Sequence, residues 1–431
     1  MLDTQAVEIN KVIRDTNPFV FDEMLSEKGK RIFFPSKGIL AQTAEAKGKA
    51  INATIGTALE DCGATMELKS IGSQISGGGD GIFAYAPNLG RPEIRRAWQK
   101  MLLKKNPRLR EENVSAPIVT ASLTHGLSAA GSLFIEPGDK IILPDMFWEN
   151  YNLVFNYAYG SDFDTFPMFN RAGGFNTDGL REKLLAKPAG KKIVILNFPN
   201  NPTGYTVTTA EAAEITNIIL ESAETGNAVI AVIDDAYFGL VFEEGILKES
   251  MFARLADAHE RVLAVKVDGP TKEDYAWGMR VGFVTFGCKR NSPEFYRAME
   301  SKLGGSIRGS VSSSSNVGQT LLLHAYENEN YEREKAEKYE ILRKRYRKIR
   351  EILESRKELG EYLRPLPFNS GYFMCLEVKN GKAEEVRKVL LERYDTGVIA
   401  LGNLLRVAFS STPYELLDKL FDNIYKAARE V

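Results

Sequence analysis

One stretch organises the sequence: Val265-Lys-Val-Asp-Gly-Pro-Thr-Lys-Glu-Asp-Tyr-Ala-Trp-Gly-Met-Arg-Val-Gly-Phe283. It places Lys272 just after a β-branched run, and a Gly-x-Arg-x-Gly turn centred on Arg280 then opens the next apolar run, Val281–Phe286. An amine at the end of a strand suits the attachment of a cofactor, and an arginine nearby suits a phosphate. A solvated surface charge is the ordinary alternative for such a lysine. Other segments of the chain supply the parts that a cofactor-bearing lysine needs, and they favour the first interpretation.

Strands and helices alternate from Ile118 to about Phe286. Short apolar runs, typical of strands buried on both faces, occur at residues 118–120, 140–143, 192–197, 228–233 and 261–265. Helical stretches separate them, notably Thr208–Glu224. The alternation predicts an α/β fold with a mainly parallel, helix-covered sheet, whose ligands bind beyond the carboxyl ends of the strands.

The flanking segments predict an N-terminal arm and a smaller domain. Residues 1 to about 50 indicate a helical arm and a loop, with a turn signal at Pro35–Gly38. Glycine and serine dominate residues 304–315, which predicts a crossing between domains. A long charged helix from Tyr326 to about Glu358, with the strands and helices after it, predicts a small α+β domain. The predicted division is residues 1–70 for the arm and part of the small domain, 71–310 for the large domain, and 311–431 for the rest of the small domain.

Composition argues against several classes of protein. Hydrophobic residues make up 44% of the chain, and the formal net charge is −1, so no basic field argues for nucleic acid or an anionic membrane. We find neither an apolar run of the ~18 residues that span a bilayer nor the pattern of a signal peptide. Three scattered cysteines fit a reducing cytoplasm, the predicted location, and three dispersed histidines do not predict a zinc site. The glycine-rich residues 77–81 lack the Gly-Lys-Ser/Thr ending of a phosphate-binding P-loop.

Two polar motifs follow apolar runs. Asn197-Phe-Pro-Asn-Asn-Pro-Thr-Gly204 exposes Asn201, whose side-chain amide can donate to an anionic oxygen, although a plain Asx-Pro turn is the alternative. Ile233-Asp-Asp-Ala-Tyr237 places Asp234 at the end of the next run, where a desolvated carboxylate needs a cationic partner such as a protonated ring nitrogen. Tyr237 could reach the other side of the same ring; otherwise the Asp-Asp pair is a helix-capping turn.

An Asn, an Asp, a Tyr, a Lys and an Arg at the ends of successive strands form a cradle for a phosphorylated aromatic aldehyde. Here the sequence resembles the pyridoxal-phosphate (PLP) aminotransferases of fold type I, in the class I/II group that includes aspartate and aromatic aminotransferases. Asn-Pro-Thr-Gly, Asp-x-Ala-Tyr and Lys-x5-Gly-x-Arg-x-Gly occur in that family's order and spacing, and the similarity covers nearly the whole chain. The resemblance implies a large domain on a seven-stranded, mainly parallel, helix-covered sheet, and a smaller α+β domain.

The resemblance implies a role for each matching residue around the ring. Lys272 matches the lysine that binds PLP covalently and acts as the general base. Asp234 matches the partner of the pyridine nitrogen. Asn201 and Tyr237 match the donors to the phenolic oxygen, and Arg280 matches the arginine that binds the phosphate.

Further matches concern the phosphate, the ring face and a second subunit. Ser122, Leu123 and Thr124 resemble the loop that holds the phosphate at a helix N-terminus. Trp148 matches the aromatic residue that stacks on the ring, with a place in the buried core as its alternative. Tyr85 matches a tyrosine that reaches the phosphate of the neighbouring subunit, which implies a homodimer with shared active sites.

Substrate contacts are implied in the same way, with Asn201 and Trp148 also facing the substrate. Gly56 matches the glycine that lines the substrate side, although an ordinary strand-to-loop turn is its alternative. Arg406 matches the arginine that grips the α-carboxylate, a bidentate task that suits a planar guanidinium. Arg308 stands where relatives that handle dicarboxylates carry an Ile-Arg pair, and could reach across the dimer to a distal carboxylate. An ordinary linker arginine is the alternative for Arg308.

Two positions depart from the family pattern. The family usually has a serine three residues before the lysine, where this chain has Gly269. One phosphate hydrogen bond is therefore missing or supplied by Thr271. His125 stands where small residues are common, and either contact with the cofactor or a structural role is open for it.

The resemblance implies an aminotransferase with ping-pong kinetics. Aspartate or glutamate with 2-oxoglutarate is the favoured substrate pair, with aromatic amino acids as further donors. A lyase, decarboxylase or racemase on the same cofactor is the first alternative. A non-catalytic aminotransferase-like regulator is the second, and it is disfavoured because residues 1–50 are too short and too little basic for an added DNA-binding segment.

Overall fold

A computed structural model of the protein describes residues 2–18, 21–22, 25, 27–32, 38–73 and 83–431. Most of the turn predicted at Pro35–Gly38 and all of the glycine-rich residues 77–81 lie outside the described residues. Of the helices in the described ranges, none combines the length and the apolarity that crossing a membrane requires.

The strands of the described chain are β1 (Ile51–Asn52), β2 (Ile118–Thr120), β3 (Lys140–Pro144), β4 (Asp162–Phe166), β5 (Lys191–Asn197), β6 (Ala228–Asp234), β7 (Val262–Asp268), β8 (Gly282–Cys288), β9 (Leu363–Pro365), β10 (Phe373–Val378), β11 (Thr396–Gly397), β12 (Ile399–Leu401) and β13 (Leu404–Ala408). The α-helices are α1 (Thr4–Thr16), α2 (Glu27–Arg31), α3 (Ile39–Glu45), α4 (Lys69–Gly72), α5 (Pro92–Lys105), α6 (Ser122–Phe134), α7 (Thr177–Leu185), α8 (Thr209–Glu224), α9 (Phe252–Leu255), α10 (Pro270–Glu273), α11 (Pro293–Ser310), α12 (Asn316–Tyr326), α13 (Tyr331–Ser355), α14 (Leu359–Tyr362), α15 (Ala383–Arg393) and α16 (Leu417–Glu430). Short 3-10 helices occur at Glu111–Asn113, Trp277–Met279, Phe409–Ser411 and Tyr414–Leu416, and a π-helix at Asn152–Tyr157.

The central sheet has seven strands in the order β2-β8-β7-β6-β5-β3-β4. β8 is antiparallel to both of its neighbours, and the other neighbouring strands pair in parallel. The structure therefore confirms the predicted α/β fold class with a mainly parallel sheet.

Both faces of the sheet are buried, which explains the continuous apolar runs in its sequence. Within β5, Ile193 and Ile195 belong to the core on one face, which also contains Leu127 of α6. Val194 and Leu196 belong to the core on the other face, which contains Ile215 of α8. Parallel strands covered by helices on both sides lose the alternation of polar and apolar residues.

Strand β4 was not predicted from the sequence. It is one of the two edge strands of the sheet, and only Phe166 of its five residues is buried. An edge strand with polar side chains lacks the apolar run that identifies the central strands.

A second sheet, in the order β12-β13-β10-β9, is antiparallel throughout. The two-stranded pair of β1 with β11 joins an N-terminal segment to the C-terminal part of the chain. This is the α+β arrangement expected for the smaller domain, whereas the domain boundaries at residues 70 and 310 stay predictions.

The prediction that residues 304–315 form a crossing between domains is wrong for the first half of this segment. Residues up to Ser310 belong to helix α11, where Ile307 is fully buried. Gly304 is needed for packing, because a Cβ there would lie 2.7 Å from the side chain of Leu89. The close packing of α11 thus explains Gly304, which the sequence analysis assigned to a linker.

Candidate active site

A cavity of about 400 Å³ lies where β5, β6 and β7 end. Ten of the predicted site residues line it: Gly56, Leu123, Thr124, Trp148, Asn201, Asp234, Tyr237, Lys272, Arg280 and Arg406. These residues come from positions 56 to 406 of the sequence, so the fold brings together side chains that the sequence keeps far apart.

Lys272 lies in the short helix α10, directly beyond β7. Its amine nitrogen Nζ is 5.0 Å from the centroid of the Tyr237 ring. Burial lowers the pKa of Lys272 to about 8; the negative charge of Asp234 opposes this shift and the positive charge of Arg280 reinforces it. About a tenth of this amine is therefore uncharged at pH 7, far more than at the ordinary pKa of a lysine, and the uncharged form is the one that a nucleophile or general base requires.

Asp234, at the end of β6, is 3% exposed. The Tyr151 hydroxyl donates to its Oδ2 at 2.5 Å, and the Ala236 amide donates to its Oδ1 at 3.1 Å. Burial raises the pKa of Asp234, while the Tyr151 hydrogen bond and the Lys272 charge oppose that shift. A buried, oriented carboxylate of this kind is suited to hold a cationic group.

Tyr151 was missed in the sequence analysis. It is 1% exposed and packs edge-on against Trp148, with ring centroids 5.6 Å apart. Tyr151 stands three residues after Trp148, and nothing in the sequence distinguishes it from an ordinary aromatic residue of the core. Only the contact with Asp234 identifies it as part of the site.

Arg406 is 3% exposed, and its guanidinium lies 4.3 Å from the centroid of the Phe373 ring. Its Nη1 donates to Asn201 Oδ1 at 3.3 Å and its Nη2 donates to the Thr54 carbonyl at 3.1 Å. Within the described ranges no carboxylate forms an ion pair with it, and its Nε has no hydrogen-bond partner there. A buried cation without an anion fits a site that binds a carboxylate from outside the chain.

The Asn201 amide is oriented by the same contact. Because its Oδ1 accepts from Arg406, both Nδ2 hydrogens remain for an acceptor such as a ring oxygen. The Asn201 backbone amide donates to Asn197 Oδ1 at 3.0 Å, and Asn197 Nδ2 donates to the Asp234 carbonyl at 2.8 Å. Asn197 thus links the turn of Asn201 to the strand that ends at Asp234.

The N-terminal turn of α6 and Arg280 form the other end of the cavity. Arg280 Nη2 donates to Ser122 Oγ at 2.7 Å, and its Nη1 donates to the Trp277 carbonyl at 3.1 Å. Ser122 has a φ of +74°, and a Cβ on Gly282 would lie 2.6 Å from the Ser122 carbonyl carbon. The first amides of a helix, a hydroxyl and a guanidinium together fit a phosphate.

Gly269 has no room for the serine that the family usually carries. A Cβ there would lie 2.9 Å from the Gly282 Cα and 3.0 Å from the Val281 carbonyl oxygen. The Thr271 hydroxyl lines the cavity, is buried and lacks a hydrogen-bond partner among the described residues. Thr271 is thus placed to supply the hydrogen bond that a serine at 269 would make.

Tyr85 and Arg308 do not line the cavity of their own chain. Tyr85 is 91% exposed, and Arg308 is exposed in the last turn of α11, where its Nη1 donates to Ser312 Oγ at 2.8 Å. Their roles therefore stay predictions that require a second subunit.

His125 lies in the first turn of α6. Its Nδ1 accepts from the Ala121 amide at 3.0 Å, and its Nε2 lies 2.9 Å from Ser310 Oγ. The contact with Ser310 ties α6 to α11, and both contacts support the structural alternative for this residue.

Comparisons with known proteins agree with this geometry. The model of the family "aminotransferase class I and II" matches residues 62–424, so the chain belongs to that family. Members of this family use PLP, which confirms the predicted cofactor, and the cavity described above has the groups to hold it.

The individual proteins that match the chain share about a quarter of their residues with it over the matched region. An aspartate aminotransferase of Pyrococcus abyssi is 26% identical over 207 residues, covering 47% of this chain and 49% of the relative. A probable N-acetyl-LL-diaminopimelate aminotransferase of Bacillus subtilis is 26% identical over 208 residues, with 48% of each chain covered. These matches span about half the length of both curated relatives. The crystal structure of an aminotransferase from Anaerococcus prevotii superposes with a TM-score of 0.83 at 23% identity, covering 94% of this chain and 98% of that one, which shows the fold.

Proposed function

We propose that the protein is a PLP-dependent aminotransferase that moves the amino group of an L-amino acid to a 2-oxo acid by a ping-pong mechanism. One observation carries the proposal: a single cavity is lined by Lys272, by Asp234 with its buried carboxylate, and by Arg406, whose buried guanidinium forms no ion pair with any described residue. These are the groups for proton transfer, for a ring nitrogen and for a substrate carboxylate.

Each residue then has a defined task. When bound, PLP withdraws electrons from the Cα of the substrate. Asp234 would hold the ring nitrogen in its protonated form. Lys272 Nζ would take the Cα proton of the amino donor and pass it to the cofactor, and in the second half-reaction it would deliver a proton to the Cα of the acceptor. Arg406 binds the α-carboxylate through its planar fork and so orients the Cα–H bond towards Lys272.

Aspartate or glutamate with 2-oxoglutarate is the favoured substrate pair, and aromatic amino acids are further donors. The relative from Pyrococcus abyssi bears the name aspartate aminotransferase. Arg308 would bind the distal carboxylate in the site of a partner subunit; within the described ranges it has Ser312 and no carboxylate as a partner. The proposal thus includes a homodimer with shared sites.

The test is an assay of the holoenzyme with 2-oxoglutarate and a panel of amino acids. We expect glutamate and the matched keto acid to appear in equal amounts. The Lys272→Ala variant is expected to lose turnover and the absorbance of the lysine-bound cofactor. Loss of CO₂ or inversion at Cα without a matched keto acid would instead indicate a decarboxylase or a racemase.

The same assay tests the distal carboxylate. We expect Arg308→Ala to lower the ratio of aspartate to alanine turnover by about tenfold or more, because a hydrogen bond to a charged group is lost. An unchanged ratio would reject this role of Arg308 and leave the aminotransferase assignment intact.

A further inference from the structure

One short segment of the chain, residues 369–373, contacts the turns that carry several of the site residues. We name it the linking segment; its last residue begins β10. The Gly204 carbonyl, three residues after Asn201, accepts from the first two amides of the segment, both at 2.9 Å. The amide of its glycine donates at 2.7 Å to the Leu240 carbonyl, which follows Tyr237 by three residues. The linking segment is therefore fixed to two of the turns that form the cavity.

The last residue of the linking segment, Phe373, supports Arg406. Its ring centroid lies 4.3 Å from the guanidinium, and the ring is 2% exposed. The strand that Phe373 begins, β10, pairs with β13, which carries Arg406. A buried aromatic face favours a cation placed over it. One end of the linking segment thus holds the group proposed to bind the substrate carboxylate.

The preceding residue, Tyr372, contacts Lys272. Its hydroxyl donates to the Lys272 carbonyl at 2.9 Å. Its ring lies edge-on to the Tyr237 ring, with centroids 5.2 Å apart, and is 0% exposed. Burial raises the pKa of the Tyr372 hydroxyl well above its ordinary value, so the hydroxyl keeps its proton and acts as a donor.

The Lys272 carbonyl needs such a donor. Lys272 is the third of the four residues of α10, and the last carbonyls of a helix have no partner within it. A helix of four residues is also too short to be stable without outside contacts. The Tyr275 amide, from the same turn, points to this oxygen at 3.3 Å. The Tyr372 hydroxyl instead ties the main chain of Lys272 to a segment 100 positions away.

We propose that Tyr372 is a positioning residue, whose hydroxyl fixes the main chain of Lys272 relative to the segment that supports Arg406. This inference rests on the proposed function, in which Arg406 orients the Cα–H bond of the substrate and Lys272 takes the proton. Proton transfer depends steeply on the geometry of the two groups. Loss of the hydroxyl should therefore slow proton transfer without weakening the binding of the substrate.

Tyr372→Phe removes the hydroxyl and keeps the ring. Tyr296→Phe is the matched control, because Tyr296 is also buried and its hydroxyl also donates to a backbone carbonyl, that of Asn113, at 2.5 Å. Tyr296 does not line the cavity. We expect both variants to lower the melting temperature by similar amounts, because each loses one buried hydrogen bond.

The first measurement is independent of turnover. Hydrogen exchange of the holoenzyme, read by mass spectrometry, follows a peptide that covers residues 270–276. We expect this peptide to exchange about two- to tenfold faster in Tyr372→Phe, as for the loss of one hydrogen bond, and at the wild-type rate in Tyr296→Phe. Equal exchange of this peptide in all three proteins would overturn the inference.

The second measurement follows proton transfer directly. Stopped-flow absorbance records the half-reaction of the holoenzyme with aspartate, the favoured donor, carrying hydrogen or deuterium at Cα. We expect the isotope-sensitive rate to fall about three- to tenfold in Tyr372→Phe, with the apparent dissociation constant of aspartate unchanged. A wild-type rate in Tyr372→Phe, or an equal fall in Tyr296→Phe, would show that Tyr372 has no positioning role.

The two measurements separate this inference from the proposed function. A wild type that transaminates no amino acid of the panel would reject the proposed function. Faster exchange of residues 270–276 in Tyr372→Phe would then retain Tyr372 as the support of the Lys272 main chain, and unchanged exchange would reject that support as well.

Discussion

Thr271 carries a buried hydroxyl that has no partner within the described residues, two positions beyond a glycine that cannot take a side chain. We therefore expect Thr271→Val to weaken PLP binding by about two- to tenfold, because one hydrogen bond to the phosphate is lost. Valine keeps the shape of the side chain, so the melting temperature should stay close to that of the wild type. Spectroscopic titration of the apoenzyme with PLP, together with a thermal melt, measures both effects.

Gly269→Ser is the matched variant, because it restores the residue that the family usually has. Its Cβ would enter the space of the Gly282 Cα, so we expect a loss of stability of about 1–3 kcal/mol, typical of overpacking. A Gly269→Ser protein that is as stable as the wild type and binds PLP more tightly would contradict this account of the phosphate contacts.

Residue types at strand ends were enough to predict part of the site. Lys272, Asp234 and Asn201 follow apolar runs, and their chemistry is visible in the sequence. Tyr151 could not be predicted in this way, since its importance lies in a contact with Asp234 across 83 positions of the sequence. A contact of that kind is decided by tertiary packing and not by a local pattern.

Helix α10, which carries Lys272, has only four residues and needs support from outside. The two residues after Lys272, Glu273 and Asp274, are 4% and 0% exposed. Lys335 of α13 lies 3.0 Å from Glu273 Oε2 and 2.7 Å from Asp274 Oδ1, and Lys105 of α5 lies 2.9 Å from Glu273 Oε1. Two helices thus hold the lysine-bearing turn through buried ion pairs.

We expect Lys335→Met to lower the free energy of unfolding by about 3 kcal/mol, because it leaves two buried carboxylates short of a cation. Lys104→Met is the control: its pair with Glu332 has side chains 70% and 68% exposed, and its loss should cost less than about 1 kcal/mol. Urea unfolding of both variants and the wild type measures the difference. Equal stabilities of the two variants would show that the buried pairs do not support α10.

This prediction also has a pH dependence with a definite sign. Burial opposes the shift, but Lys105 and Lys335 lower the pKa of Glu273 from 4.5 to about 2. The stabilisation by ionised Glu273 is therefore present above about pH 4.5 and is lost as the pH falls towards 2. The difference in stability between the wild type and Lys335→Met should narrow over that range.

At the level of elements, burial decided what the sequence could predict. The central strands β5 to β7 are buried on both faces and appear as apolar runs, whereas the exposed edge strand β4 does not. Residues 304–310 were predicted to be part of a linker because glycine is common in linkers. The structure shows that Gly304 is instead required by the close approach of α11 to Leu89.

Two exposed aromatic side chains bear on the assembly of the whole molecule. Phe83 is 96% exposed and Tyr85 is 91% exposed, although large aromatic side chains are usually at least partly buried. Neither lines the cavity of its own chain. Both observations support the proposed homodimer, in which Tyr85 reaches the phosphate of the partner subunit.

Hybrid dimers test this arrangement. Lys272→Ala removes the amine of its own site, and Tyr85→Ala would impair the site of its partner. In a mixed dimer of the two variants, one site then has an intact Lys272 from one subunit and an intact Tyr85 from the other, and the second site has neither. Unfolding and refolding an equimolar mixture should therefore yield more activity than the sum of the two variants treated separately. If Tyr85 served its own subunit, or if the protein were monomeric, each site would carry one defect and mixing would give no gain.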